Sequence, residues 1–294
     1  MPEMLEIAEA KCDPGTALMV SELIFDLFSE SGLIVSADEE SGDCWRVEVI
    51  LPPDRFWAEF EPTLNLAFPG LPAFSVRYIN RHDWATRPQP ARAPVRAGRF
   101  YIHEEDQPAP PAGSAIPVTI SAGMAFGTGH HETTSGCLIA LENVLRQTRP
   151  RAVLDLGCGT AILAVAFAKA ARAPVLASDI DPVAVAVARR NGIVNGVGPL
   201  LRCVTAAGVR HREIAARAPY DLIMANILAG PLMAMATPLA ALLAPGARLI
   251  LSGLLLHQAP RIIARYRAAG LVFQKQLNKR EWATLTLAAP GRPF

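Results

Sequence analysis

Residues 152–181 leave a folding chain little choice. Ala152–Leu156 is a short apolar run that ends at Gly157, a second glycine follows at position 159, and the next eleven or so residues are helix formers. A buried strand therefore turns tightly into a helix. After Pro174, Val175–Ser178 reads as a second buried strand. Strand, turn, helix and strand make a βαβ unit, whose crossover is right-handed and whose ligand lies beyond the carboxyl ends of the strands.

The dinucleotide fingerprint G-x-G-x-x-G/A fits this turn only in part, because its sixth position is Ile162, where helix and strand must pack closely. Asp155, two residues before the first glycine, decides more. A carboxylate at the tip of the first strand repels a pyrophosphate at the helix N-terminus but suits a ligand carrying an ammonium and a sulfonium. That ligand is S-adenosylmethionine. Asp179 ends the second strand twenty-two residues after Gly157, placed to accept hydrogen bonds from a ribose 2′ and 3′ hydroxyl pair. Asp181 precedes Pro182 and reads as an N-cap with proline at N1.

With 294 residues the chain has room for two domains. Its net charge of +1 creates no field to gather nucleic acid, so DNA is not expected as a partner and any RNA contact must be local. Five cysteines without a C-x-x-C pair argue against a disulfide framework or zinc ribbon and favour a reducing compartment. The N-terminus lacks a basic stretch followed by an apolar one, so no signal peptide is expected. Residues 222–256 are apolar, but Pro231, Pro238 and Pro245 cut them into pieces too short for a membrane span. The reading is a cytoplasmic protein with no membrane contact.

The first eighty residues alternate strand and helix patterns. Met4–Ala10, Leu33–Val35, Trp45–Leu51 and Phe74–Ile79 read as strands, with a polar turn over Asp38–Asp43. Pro14–Glu30 and Pro53–Leu66 read as helices, the second presenting Phe56, Trp57 and Phe60. The order βαββαβ predicts a ferredoxin-like domain over residues 1–80. RNA-recognition modules share it, but neither central strand carries their aromatic signature, so base stacking is not expected. Residues 81–100, with Arg81, Arg87, Arg92, Arg96 and Arg99 among prolines, read as a basic linker: a solvated connector, or a contact for an acidic or RNA-bearing partner.

Residues 101–294 form the larger domain in this reading. Ser121–Thr134 is rich in glycine and leads into a helix over Ser135–Leu145, leaving amides and hydroxyls free beside the first central strand. A loop closing over a cofactor is preferred to an ordinary capped helix. His130 and His131 are no zinc pair, because neighbours in sequence point apart and no third ligand lies at i+4. Further strands are expected at Leu200–Val204, Tyr220–Asn226 and Arg248–Ser252, helices at Pro182–Val194, Pro231–Leu243 and Arg261–Ala269, and a surface connection at Ala206–Pro219. Leu271–Leu277 and Trp282–Ala288 predict a closing antiparallel hairpin.

Asp155, Gly157, Gly159, Asp179 and Asn226 then fall at the carboxyl ends of strands in one sheet and line one crevice. Methyl transfer from a sulfonium to an amine needs no enzyme nucleophile and no metal, only an acceptor lone pair in line with the methyl carbon. Asn226 ends a strand that is apolar from Leu222 to Ala225; it can hold an acceptor amine, or merely cap the next turn. Cys158 has no base at a readable spacing and reads as packing.

At these residues the chain resembles the methyltransferases that modify large-subunit ribosomal protein eleven, the PrmA family. The resemblance is carried by Ala125–Thr134, Val153–Thr160, Ala225–Leu232 and Glu281-Trp282. It implies a Rossmann-like S-adenosylmethionine-dependent methyltransferase domain behind a smaller ferredoxin-like α+β domain that grips the ribosomal protein, and a monomer. It also implies that Thr134, Gly157, Asp179 and Asn226 contact the cofactor, and that lysine and N-terminal amines are methylated, up to trimethylation. Two residues depart from the family: Ala161 stands where many relatives have glycine, and His130 where relatives vary. The rivals are a lysine methyltransferase acting on the β subunit of electron transfer flavoprotein, a non-catalytic protein that binds cofactor or ribosomal partner, and an NAD reductase, which Asp155 and Ile162 disfavour.

Overall fold

In the computed structural model the N-terminal part opens with β1 (Met4–Cys12), and Asp13 starts the helix Pro14–Phe28 by accepting the Thr16 N–H at 3.0 Å. β2 (Ile34–Ser41), β3 (Cys44–Ile50) and β4 (Ser75–Asn80) complete an antiparallel sheet in the order β2-β3-β1-β4. The structure describes residues 4–28, 31, 33–41, 43–52, 54–80, 94–111, 113–120 and 132–291. The sheet order and antiparallel pairings are those of the expected βαββαβ unit.

Two boundaries differ from the sequence expectation. β2 runs on through Ser41, which pairs with Cys44, so the turn is far shorter than Asp38–Asp43. Polar residues hide a strand whose hydrogen bonds are made by backbone alone. The helix expected over Pro53–Leu66 is a 3-10 turn at Trp57–Glu59 followed by a helix at Glu61–Ala67. Pro62 has no N–H to donate and its ring crowds the carbonyl one turn back, so it sits in the first turn of a new helix rather than inside a continuous one. Trp57, Phe60 and Leu64 fill the core instead, and Phe56 is exposed.

The chain divides into two units, Met1–Pro88 and Gln89–Phe294. The basic segment through Arg92 lies outside the described residues, but the rest of the expected linker is structured. β5 (Val95–Ala97) pairs with β6 (Phe100–His103), which pairs in parallel with β7 (Ile116–Thr119).

The second unit is built on seven further strands: β8 (Val153–Leu156), β9 (Val175–Asp179), β10 (Leu201–Thr205), β11 (Tyr220–Asn226), β12 (Leu243–Leu255), β13 (Val272–Lys279) and β14 (Trp282–Ala288). Their order is β10-β9-β8-β11-β12-β14-β13, with only β14 antiparallel to its neighbours. Alternate residues of β8 feed opposite cores, Val153 towards the helices Glu132–Gln147 and Ile162–Ala171, Leu154 and Leu156 towards the helices Ala229–Ala241 and Ala259–Ala268. This burial on both faces is why the strand reads as apolar at every position except Asp155. After β8 the chain moves outward to β9 and β10, then crosses to β11 on the other side. The strand order thus reverses beside β8, which is where an open α/β sheet presents its crevice.

Pro245-Gly246, expected as a turn, lies within β12 as a register shift between Tyr220 and Leu222. The connection Ala206–Pro219 contains a short helix, Arg212–Arg217. No helix among the described residues is long and apolar enough to cross a membrane.

Candidate functional site

The sheet register sets the site. Leu156 pairs with Ser178 on one side and Ala225 on the other, and Asn226 pairs with Ser252. One residue further along, Gly157, Asp179 and Asn226 therefore stand in a row at the carboxyl edge, with Ser252 beside them.

The turn is held from both sides. Gly157 has φ +66°, and a Cβ on it would lie 2.3 Å from Ile227 Cγ2. On the other flank of Ile227, a Cβ on Gly253 would lie 2.3 Å from the Ile227 carbonyl oxygen. The residue after Asn226 is thus clamped between two glycines, each also in left-handed backbone. Gly253 was not singled out in sequence; the Ser-Gly break in an apolar strand was its only trace.

Asp179 is tied down by backbone. Its Oδ2 accepts the Gly159 N–H at 2.8 Å and its Oδ1 accepts the Asp181 N–H at 3.0 Å. Each carboxylate oxygen has two lone pairs, so both can accept a further donor. Ile180 beside it is 71% exposed. Asp181 caps the next helix through the Val183 N–H at 2.8 Å, with Pro182 at N1.

Thr134 lies not before the helix, as the expected start at Ser135 required, but inside its first turn, because the helix begins at Glu132. Asn226 Nδ2 donates to Thr134 Oγ1 at 3.3 Å. Two residues 92 apart in sequence thus meet at the carboxyl edge. The glycine loop that precedes them, including His130 and His131, lies outside the described residues. Among the described residues no metal-binding group of three or more His, Cys, Asp or Glu is gathered.

Asp155 is where the structure corrects the sequence. It shares the face of Val153, is 1% exposed, and points away from the crevice, its Oδ2 accepting the Ala164 N–H at 2.9 Å. Ala161, the N-cap of that helix, sits at φ 60° with no side chain able to cap, so Asp155 caps the helix from the preceding strand. Burial pushes its carboxyl up to about 8, the charge of Asp179 adds to the rise, and the Ala164 hydrogen bond opposes it. Near neutral pH it carries little charge, and long-range repulsion of phosphate has no basis. The backbone of Ala161 is left-handed, a conformation that glycine adopts at least cost.

Cys158 is buried, and desolvation raises its thiol well above the usual range, with the carboxylates of Asp155 and Asp179 adding to the rise. It therefore remains a thiol that packs.

Comparison with known proteins gives one family. Its profile, described as ribosomal protein L11 methyltransferase (PrmA), matches residues 45–290. The chain is similar to the ribosomal protein L11 methyltransferase of Bradyrhizobium diazoefficiens, 43% identical over 94% of this chain and 95% of that protein. It is also similar to that of Rhodopseudomonas palustris, 42% identical over 94% of each. The crystal structure of ribosomal protein L11 methylase from Lactobacillus delbrueckii subsp. bulgaricus superimposes with a TM-score of 0.61, at 24% identity, over 67% of this chain and 98% of that one. That likeness speaks for the fold.

Proposed function

The chain belongs to the ribosomal protein L11 methyltransferase family, and from that premise we propose that it transfers methyl groups from S-adenosylmethionine to lysine and N-terminal amines of ribosomal protein L11. The cofactor residues in this reading are Thr134, Gly157, Gly159, Asp179 and Asn226, with Asn226 also facing the acceptor. The observation that carries it is the meeting of Thr134 and Asn226 on the edge that also holds the glycine turn and Asp179.

The residues fit the cofactor. The Gly157 turn leaves no room for a side chain, Asp179 is fixed with lone pairs for a diol, and Cys158 and Asp155 are withdrawn from the crevice. When bound, S-adenosylmethionine supplies an electrophilic methyl on a positively charged sulfur. The protein must deliver a neutral amine, and taking a lysine from its usual pKa to neutrality at pH 7 costs about 4–5 kcal/mol. Desolvation at the strand ends lowers that cost. One Nδ2 N–H of Asn226 is donated to Thr134, and its amide oxygen can accept an amine N–H, which aims the amine lone pair elsewhere. No enzyme base within the sheet is required.

The N-terminal unit is the substrate-gripping part in this proposal, and the enzyme acts as a cytoplasmic monomer. Incubation of the protein with labelled S-adenosylmethionine and purified ribosomal protein L11 tests it. Label on the ribosomal protein is expected; cofactor retained without transfer would make the chain a binding protein, and transfer to the flavoprotein β subunit instead would reassign the substrate.

A further inference from the structure

Glu281 and Trp282 help mark the family, yet they lie on the closing hairpin rather than on a strand that ends at the glycine turn. Lys279 and Trp282 pair across that hairpin, so Arg280 and Glu281 alone make its turn. Arg280 sits at φ +48°, a left-handed backbone that a long side chain rarely holds, and neither turn residue eases it as Gly, Asn or Asp would. Such strain persists where the surroundings over-determine it.

The contacts that over-determine it converge on the site. Lys279 Nζ donates to Ser135 Oγ at 2.7 Å, 144 residues away in sequence, and Arg280 Nε lies 3.3 Å from Glu132 Oε1. Glu132 and Ser135 belong to the first helical turn, the turn that carries Thr134. On the other side the Glu281 carbonyl accepts the Leu256 N–H at 2.8 Å, just past β12, the strand whose Gly253 clamps Ile227. Beneath both, Thr284 Oγ1 shares a 2.9 Å hydrogen bond with Ser252, the residue paired with Asn226. An ammonium at the first turn opposes the helix dipole, so helix stability does not account for Lys279.

We propose that Lys279 is a positioning residue for the Thr134–Asn226 pair: the strained turn holds its ammonium on Ser135 and so locks the helical turn that presents Thr134. This rests on the reading of that pair as part of the cofactor site.

The test uses Lys279→Met, Lys279→Arg, Ser135→Ala and the double variant Lys279→Met/Ser135→Ala. It reads amide exchange of residues 133–136 in the free protein, thermal stability, and the Kd of S-adenosylhomocysteine. Lys279→Met is expected to speed exchange at those amides about tenfold and to weaken binding by about three- to tenfold. Ser135→Ala should do the same, the double variant no worse than either single one, and Lys279→Arg should stay within about twofold of wild type. A Lys279→Met protein that is less heat-stable but has wild-type exchange and Kd overturns the proposal, as does a Lys279→Arg protein as impaired as Lys279→Met. Wild-type protein that bound no S-adenosylhomocysteine would instead overturn the cofactor reading and the proposal with it.

Discussion

Gly157→Ala tests the site at its tightest point. The added methyl must adopt the left-handed backbone that Gly157 occupies at φ +66°, at a cost of roughly 1–2 kcal/mol. It must also displace Ile227 Cγ2 from 2.3 Å to an ordinary contact of about 3.5–4.0 Å, and overpacking of this kind costs about 1–3 kcal/mol. The sum is about 2–5 kcal/mol, which a domain of ordinary stability survives in the cold. Gly253 blocks Ile227 from behind, so the displacement passes to Asn226, and a shift of about 1 Å there is expected to slow methyl transfer about 100-fold in protein that is still folded. Urea unfolding gives the first quantity and initial rates at saturating cofactor the second. Adding Ile227→Ala removes the methyl that is struck and should recover the overpacking part, leaving the backbone part. A stability change under about 1 kcal/mol, or no recovery in the double variant, would refute the clamp.

Asp179→Ala is expected to weaken cofactor binding by about 1–3 kcal/mol through lost charge-assisted hydrogen bonds; unchanged affinity by calorimetry would remove Asp179 from the site. Asp155 has a folded pKa raised to about 8, so its contribution to stability is fully present below about pH 4 and is lost as pH rises through 8, by at most about 1.4 kcal/mol per pH unit. Asp155→Asn keeps an oxygen for the Ala164 N–H and should flatten the pH–stability curve between those limits; identical slopes for the two proteins would show that Asp155 does not titrate there. A fragment beginning at Gln89 is expected to bind S-adenosylhomocysteine but not to methylate the ribosomal protein, and full activity would end the recognition role of the first unit. Beginning it at Arg99 would strip β5 from β6 and confuse lost recognition with lost stability.

The four-stranded and seven-stranded sheets were legible because their central strands obey simple periodicities: Val153–Leu156 is buried on two faces, and the βαββαβ order admits few pairings. Elements failed to show where backbone rather than side chains decides. β2 is polar, β5 is three residues long, and Pro245-Gly246 is absorbed by a register shift. Gly157, Asp179 and Asn226 were readable as strand ends, because strand ends in one sheet share an edge. Lys279, Ser135, Gly253 and Thr284 were not, since each acts on a residue dozens to more than a hundred positions away and carries no local pattern.

Asp155 shows how a sequence argument can reach a sound exclusion by unsound physics. Repulsion between an exposed carboxylate and a pyrophosphate needs charge and proximity, and a carboxyl that is buried, turned towards Ala164 and largely protonated at pH 7 supplies neither. The exclusion stands on donors instead. A dinucleotide phosphate is held by free amides at the glycine turn and the first turn of the following helix. Here the Ala164 N–H is bonded to Asp155 and the Gly159 N–H to Asp179, at 2.9 and 2.8 Å. A phosphate could take neither of these two donors without breaking a bond to a carboxyl group, and losing the Ala164 bond would leave the buried Asp155 unsatisfied. The edge offers acceptors where a phosphate needs donors, and acceptors are what a ribose diol and an ammonium require. In the proposed reading the turn selects by hydrogen-bond polarity, and Asp155 contributes by occupying the Ala164 N–H at the helix end rather than by projecting charge.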